Sequence, residues 1–219
     1  MTRDCHLYGV PMDCGKARRG CLMGPDAYRT AGLAETLREL GHSVTDHGDL
    51  APDANDVAAR DDLVALPEVV GWTTALTRAA SGAPGLPVFM GGDHALALGT
   101  VAGMAQAAER KGRPFFLLWL DAHSDFNTPE TTESGNLHGT PVAYVTGQPG
   151  FDAFPPPPTL VRPENTCMIG LRSVDAPERA ALSRTAITTV DMRAIDEHGI
   201  KPPLAAFLER VREADGLLR

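Results

Sequence analysis

Apolar and polar positions along this chain switch repeatedly between the spacing of buried strands and that of amphipathic helices. HLYGVP (6–11) reads as a first buried strand, followed by a Gly- and Arg-rich loop, MDCGKARRGCLMGP. PDAYRTAGLAETLREL, from Pro25, sets Leu33, Leu37 and Leu40 at helical spacing and stops at Gly41, which predicts one helix. SVTDHGDL predicts a second strand, LVALPEVVGWTTALTRAAS a helix, GLPVFMGG a third strand, and HALALGTVAGMAQAAERKG an Ala-rich helix. PFFLLWLDAH is continuously apolar, the pattern of a central strand covered on both faces of a parallel sheet. NTCMIGL and AITTVD read as strands around a short helix, and PLAAFLERVREADG places Leu204, Phe207, Leu208 and Val211 on one helical face. This alternation predicts a doubly wound α/β sheet in a single domain, 1–219, and the proline run FPPPP (154–158) reads as a stiff surface loop.

Composition narrows the partners. At 219 residues the chain is long enough to bury a substantial core. Its net charge of −8 would be repelled by nucleic acid and by an anionic membrane, which leaves small molecules or other proteins. No apolar run approaches the roughly 18 to 20 residues that span a bilayer, and MTRDCHLYGVP lacks the apolar centre of a signal peptide, so a cytoplasmic protein is expected. Cys5, Cys14, Cys21 and Cys167 form no C-x-x-C pair and read as free thiols; the Cys14 to Cys21 spacing fits no common zinc finger or ribbon.

The chemistry concentrates after the apolar strand. Asp121, His123 and Asp125 stand at every second position, where a strand sends side chains to one side about 6.6 Å apart per step, before the loop bends them together. Taken singly, the two Asp read as turn caps and His123 as a polar strand end. Together, carboxylate oxygen and imidazole nitrogen without thiolate suit Mn, Fe, Co or Zn. VFMGGDHALALG places Asp93 and His94 at another strand end, where a crevice shared with the Asp121 cluster is expected; Asp93 reads equally as a helix N-cap. The loop FNTPETTESGNLHG supplies Asn127, Thr132, Ser134 and Asn136 as hydrogen-bonding groups, or else is a solvated polar loop. His138 follows, with a side chain suited to proton transfer near neutrality.

GGDH, DAHSDFNTP, SGNLHGTP and IGLRSVD, in that order, with RRGCLMGPDAYRTAGL before them, make the sequence resemble the ureohydrolases, and within them the arginases, over essentially its whole length. The resemblance implies a three-layer α/β fold and two Mn²⁺ ions that activate water for attack on the guanidinium carbon of L-arginine, giving ornithine and urea. Agmatinase, guanidinobutyrase and formimidoylglutamase activities are the alternatives it leaves. By motif match, His94, Asp121, His123 and Asp125 become metal ligands, with the two Asp bridging and Asp125 also catalytic, and His138 takes the proton-shuttle position. Asn127, Thr132, Ser134 and Asn136 fall in the loop that hydrogen-bonds the substrate α-carboxylate, and Asp175 and Glu178 where the α-amino end is held. The resemblance also implies a homo-oligomer, a trimer or hexamer. Glu133 stands where an uncharged residue is expected; pointing inward it would repel the substrate carboxylate, so it is expected to face solvent.

One family signature, a D-x-D pair on a later strand, does not occur in these residues; Asp191, Asp196 and Asp215 are separate acids, and the chain closes at EADGLLR about where that strand is expected to start. The expectation is therefore of a C-terminally incomplete site that holds one metal rather than a pair and is inactive or severely impaired, with inner strands lacking neighbours. A non-catalytic, partner-dependent binding protein is the rival expectation.

Overall fold

The computed structural model describes residues 2–218. In chain order the elements are β1 (Asp4–Val10), α1 (Gly24–Thr30), α2 (Leu33–Glu39), β2 (Ser43–Asp49), α3 (Leu66–Gly82), β3 (Leu86–Gly91), α4 (Leu96–Arg110), β4 (Phe115–Leu120), α5 (Pro141–Val145), β5 (Thr166–Leu171), α6 (Ala176–Leu182), β6 (Thr188–Asp191), α7 (Met192–His198), α8 (Lys201–Glu213) and β7 (Leu217–Leu218). The strands form two sheets, β2-β1-β3 and β6-β5-β4-β7, and their pairings are parallel. In place of one continuous sheet, β3 and β7 thus each terminate the strand order of their own sheet, while a single apolar core reaches from Val10 and Met12 to Phe115, Leu117 and Trp119.

The unbroken apolar run in β4 is explained by burial on both faces. Phe115, Leu117 and Trp119 belong to the core shared with α3 and α4, whereas Phe116 and Leu118 pack with Phe207 of α8. β5 divides in the same way, with Met168 and Leu171 on one side and Cys167 and Ile169 on the other. Successive strand residues point to opposite faces, so both must be apolar when helices cover both.

The single helix expected from Pro25 to Leu40 is instead two. Gly32, at φ 79°, takes a left-handed conformation that interrupts the hydrogen-bonded spiral, and no α2 residue is buried; Leu40 is 68% exposed. The next helix starts at Leu66, because Ala65 is left-handed and Pro67 occupies the first turn, where its missing N–H costs nothing. On α8 only Phe207 is buried and Leu208 is 40% exposed, so the expected four-residue apolar face is narrower.

α3 and α4 approach closely because Gly99 and Gly103 leave room for the α3 backbone. A Cβ on Gly103 would lie 2.4 Å from Thr77 O and 2.7 Å from Ala80 Cβ. Gly103→Ala would gain about 1 kcal/mol in helix propensity at an exposed position, yet forcing the two backbones apart costs about 1–3 kcal/mol. We expect a net loss of stability, readable as a lower denaturant midpoint; an unchanged or higher midpoint would show that the helices can separate freely.

Candidate functional site

Two strand ends build the site. After β3 the chain passes through Gly92, where a Cβ would stand 2.2 Å from Met12 O, so only glycine fits. Asp93 Oδ1 then accepts from Ala95 N at 2.9 Å, capping the turn into α4. His94 is carried towards the end of β4, where it stacks on Trp119 with ring centroids 4.9 Å apart. Beyond Leu120, Asp121 Oδ1 accepts from His123 N at 2.9 Å, and Asp125 adopts a positive φ of 46°. That conformation costs a non-glycine residue about 1–3 kcal/mol. It is held in place by Val142 N and Ala143 N at the start of α5, both donating to Asp125 O.

His94 Nδ1 lies 3.0 Å from Asp125 Oδ2 and 3.4 Å from Asp121 Oδ2. Donor atoms of these three residues lie within 4.8 Å of one another, the one such group of three among the described residues. The donor set fits a divalent cation for a reason beyond its composition. Asp125 Oδ2 is buried and has no hydrogen-bond partner among the described residues, its approach to His94 being close but not aligned as a hydrogen bond. An orphaned buried polar group of this kind costs about 1–3 kcal/mol, which a bound cation relieves. Burial pushes the His94 pKa down, but Asp125, Asp121 and Asp93 outweigh it and leave it above the ordinary imidazole value, so protons compete with a metal there. His123 lies outside the group: its Nδ1 is 3.4 Å from Asp121 Oδ1, and its side chain is 60% exposed.

The loop carrying Asp125 is braced from α6. Glu178 is 4% exposed; its Oε1 accepts from Ser124 Oγ at 2.6 Å and Phe126 N at 2.8 Å, and its Oε2 from Asp175 N at 2.9 Å. Asp175 Oδ2 accepts from Asn127 Nδ2 at 3.2 Å. The two acids therefore divide. Asp175 is exposed at the head of α6, whereas Glu178 has its oxygens committed to the backbone and hydroxyl donors around Asp125.

A cavity of about 360 Å³ brings together His94, His123, Asp125, Asn127, Thr132, Ser134, Asn136, His138, Asp175 and Glu178, which is every residue given a role by motif match except Asp121; Asp93 also lies outside its lining. Asp121 joins through its contact with His94. Glu133 is exposed, as expected, yet it also lines this cavity. His138 sits in a short 3-10 turn, pinned by its N–H to Gly15 O at 3.0 Å, and Asn136 Oδ1 accepts from Ala17 N at 2.9 Å. Burial lowers the His138 pKa, against the opposing pull of Asp93 and Asp125, so the ring is neutral near pH 7. A larger groove of about 700 Å³ lies beside α6 and α7, lined by Arg172, Arg179 and apolar side chains, and holds none of these groups.

Sequence reasoning missed the bracing contacts. Trp119 was legible as core, not as the platform under His94, and nothing in the spacing shows that Glu178 reaches back to Ser124 and Phe126. Lys16, in the Gly- and Arg-rich loop, donates to Asp13 at 3.1 Å and approaches buried Asp93 Oδ2 at 3.8 Å.

Comparison with known proteins follows the same lines. The family model described as "Arginase family" matches residues 3–218. An arginase of Brucella melitensis is 53% identical over 219 residues, covering 98% of this chain and 72% of the relative. Among solved structures, an arginase of Bacillus subtilis superposes with a TM-score of 0.83 at 34% identity, covering 99% of this chain and 73% of that one. An arginase of Entamoeba histolytica, solved in complex with L-ornithine, gives a TM-score of 0.84 at 25% identity, covering 100% and 75%.

Proposed function

This chain belongs to the arginase family, and on that premise we propose that it hydrolyses the guanidino group of L-arginine to ornithine and urea with bound Mn²⁺. The observation that carries the reading is the convergence of His94, Asp121 and Asp125 on one cavity with the loop Asn127 to Asn136 and His138. Two Mn²⁺ ions, when bound, supply a water that is deprotonated near neutral pH. His94, Asp121 and Asp125 would hold the metal, and His123, at the cavity wall, is the further ligand the motif match offers. Among the described residues these three form the one group of three donors close enough to share an ion.

The remaining roles follow from the cavity. Asn127, Thr132, Ser134 and Asn136 offer hydrogen bonds to the α-carboxylate, and Asp175, exposed at the head of α6, attracts the α-ammonium. Glu178 keeps Ser124 and Phe126, and through them Asp125, in position. Neutral His138 accepts a proton and returns it to the leaving amine. The L-ornithine complex of the Entamoeba histolytica arginase supports a product of this class. Four unpaired cysteines suit a reducing compartment, and we place the protein in the cytoplasm. No helix among the described residues is long and apolar enough to cross a membrane. One core under both sheets supports reading 1–219 as one domain. A homo-oligomer, a trimer or hexamer, completes the proposal.

The test is urea release from L-arginine, agmatine and guanidinobutyrate by the Mn²⁺-loaded protein. Dependence on added Mn²⁺ and at least about a hundredfold preference for arginine over agmatine are expected, because donors built for a carboxylate are left unmatched by a substrate lacking one. Absence of urea from all three in a folded, metal-loaded sample would refute the reading. Equal turnover of arginine and agmatine would refute the role given to the loop.

A further inference from the structure

Four carboxylates line the candidate active-site cavity, Asp125, Glu133, Asp175 and Glu178, with no lysine or arginine beside them. Two of the four are hydrogen-bonded within the protein and a third belongs to the three-donor group. Asp175 accepts from Asn127, Glu178 accepts from Ser124, Phe126 and Asp175, and Asp125 lies 3.0 Å from His94. Glu133 makes no hydrogen bond or ion pair among the described residues. It is also exposed, and its chain neighbours are Thr132 and Ser134, whose hydroxyls lie 3.5 Å apart and face the same cavity. The rim thus carries an uncommitted negative charge on the residue that links, in sequence, the two hydroxyl side chains that the preceding reading assigns to the substrate carboxylate.

We propose that Glu133 is a specificity-determining residue that favours guanidino substrates whose far end is a simple cation over those whose far end is zwitterionic. The inference rests on the proposed arginase activity and deepens it. L-arginine brings both a carboxylate and an ammonium to this rim, so attraction and repulsion largely cancel. Agmatine brings an ammonium alone and is attracted. Glu133 therefore narrows the preference for arginine that the hydrogen-bonding loop creates, acting through charge rather than through a fixed contact. Its effect is correspondingly small and screened by salt.

The experiment compares kcat/KM for L-arginine and agmatine in the Mn²⁺-loaded wild type, Glu133→Gln and Glu133→Asp, at low and high ionic strength. Glu133→Gln is expected to raise the arginine-to-agmatine ratio by up to about fivefold, the size of an exposed charge interaction, chiefly through KM. Glu133→Asp, which keeps the charge, is expected to stay close to wild type, and high salt to erase the difference between wild type and Glu133→Gln. An unchanged ratio in Glu133→Gln, an equal change for both substrates, a shift in Glu133→Asp as large as in Glu133→Gln, or a shift that persists in high salt would each overturn the inference while leaving arginase activity intact. A wild type that releases no urea from either substrate would overturn the functional reading and this inference with it.

Discussion

Asp125→Asn is expected to lower Mn²⁺-dependent urea formation by about a thousandfold and, at the same time, to stabilise the metal-free protein. The loss follows from the position of Asp125 Oδ2, 3.0 Å from His94 Nδ1 in the three-donor group. Removing a charged ligand from a metal that supplies several kcal/mol of transition-state stabilisation costs about tenfold per 1.4 kcal/mol. The gain in stability comes from the amide no longer burying a carboxylate oxygen that lacks a hydrogen-bond partner. This amounts to roughly 1–3 kcal/mol in the absence of metal. Added Mn²⁺ is expected to stabilise the wild type and not the variant. Denaturation with and without Mn²⁺, alongside urea assays, measures all of this; a variant that keeps wild-type activity, or that is less stable without metal, would remove Asp125 from the role given to it.

Glu178→Gln is expected to destabilise the fold by about 2–3 kcal/mol and to weaken Mn²⁺ binding by about tenfold to a hundredfold, although Glu178 is outside the three-donor group. Its two oxygens accept three hydrogen bonds, from Ser124 Oγ, Phe126 N and Asp175 N. An amide can offer its oxygen to only one side, so its NH₂ must confront either the Ser124 and Phe126 donors or the Asp175 N–H in a buried position. Ser124 and Phe126 flank Asp125, so the disturbance reaches this proposed metal ligand directly. Paired denaturation and Mn²⁺ titrations separate the two effects. Unchanged metal affinity in a destabilised variant would reduce Glu178 to a structural cap of α6.

Both variants depend on contacts that differ in how far the sequence announces them. Asp125 was legible because it closes an every-second-residue pattern at the end of a continuously apolar strand, and metal-ligand chemistry leaves a local mark of that sort. The expected helix from Pro25 failed because the leucine spacing begins only at Leu33, and extending it back to Pro25 passes over Gly32, whose left-handed backbone is invisible to a hydrophobic count. Leu208 failed similarly: helical periodicity gives a face, while the width of that face actually covered depends on what packs against it. Glu133 was rightly expected to be exposed, but exposure and cavity lining proved compatible because the loop borders an open rim.

The sequence by itself determined the parallel α/β character, the doubly covered central strand and the candidate site residues proposed above, because strand and helix periodicity and motif spacing act over a few neighbouring positions. Only the tertiary structure decided that His94, beyond β3, stands 3.0 Å from Asp125 and 3.4 Å from Asp121, beyond β4, that His123 stays at the cavity wall, and that Glu178, more than fifty residues downstream of Ser124, closes the brace beneath them. Those choices depend on the order in which strands pair and on where loops close, and they are settled by the burial and hydrogen-bonding needs of the whole chain rather than by any one segment.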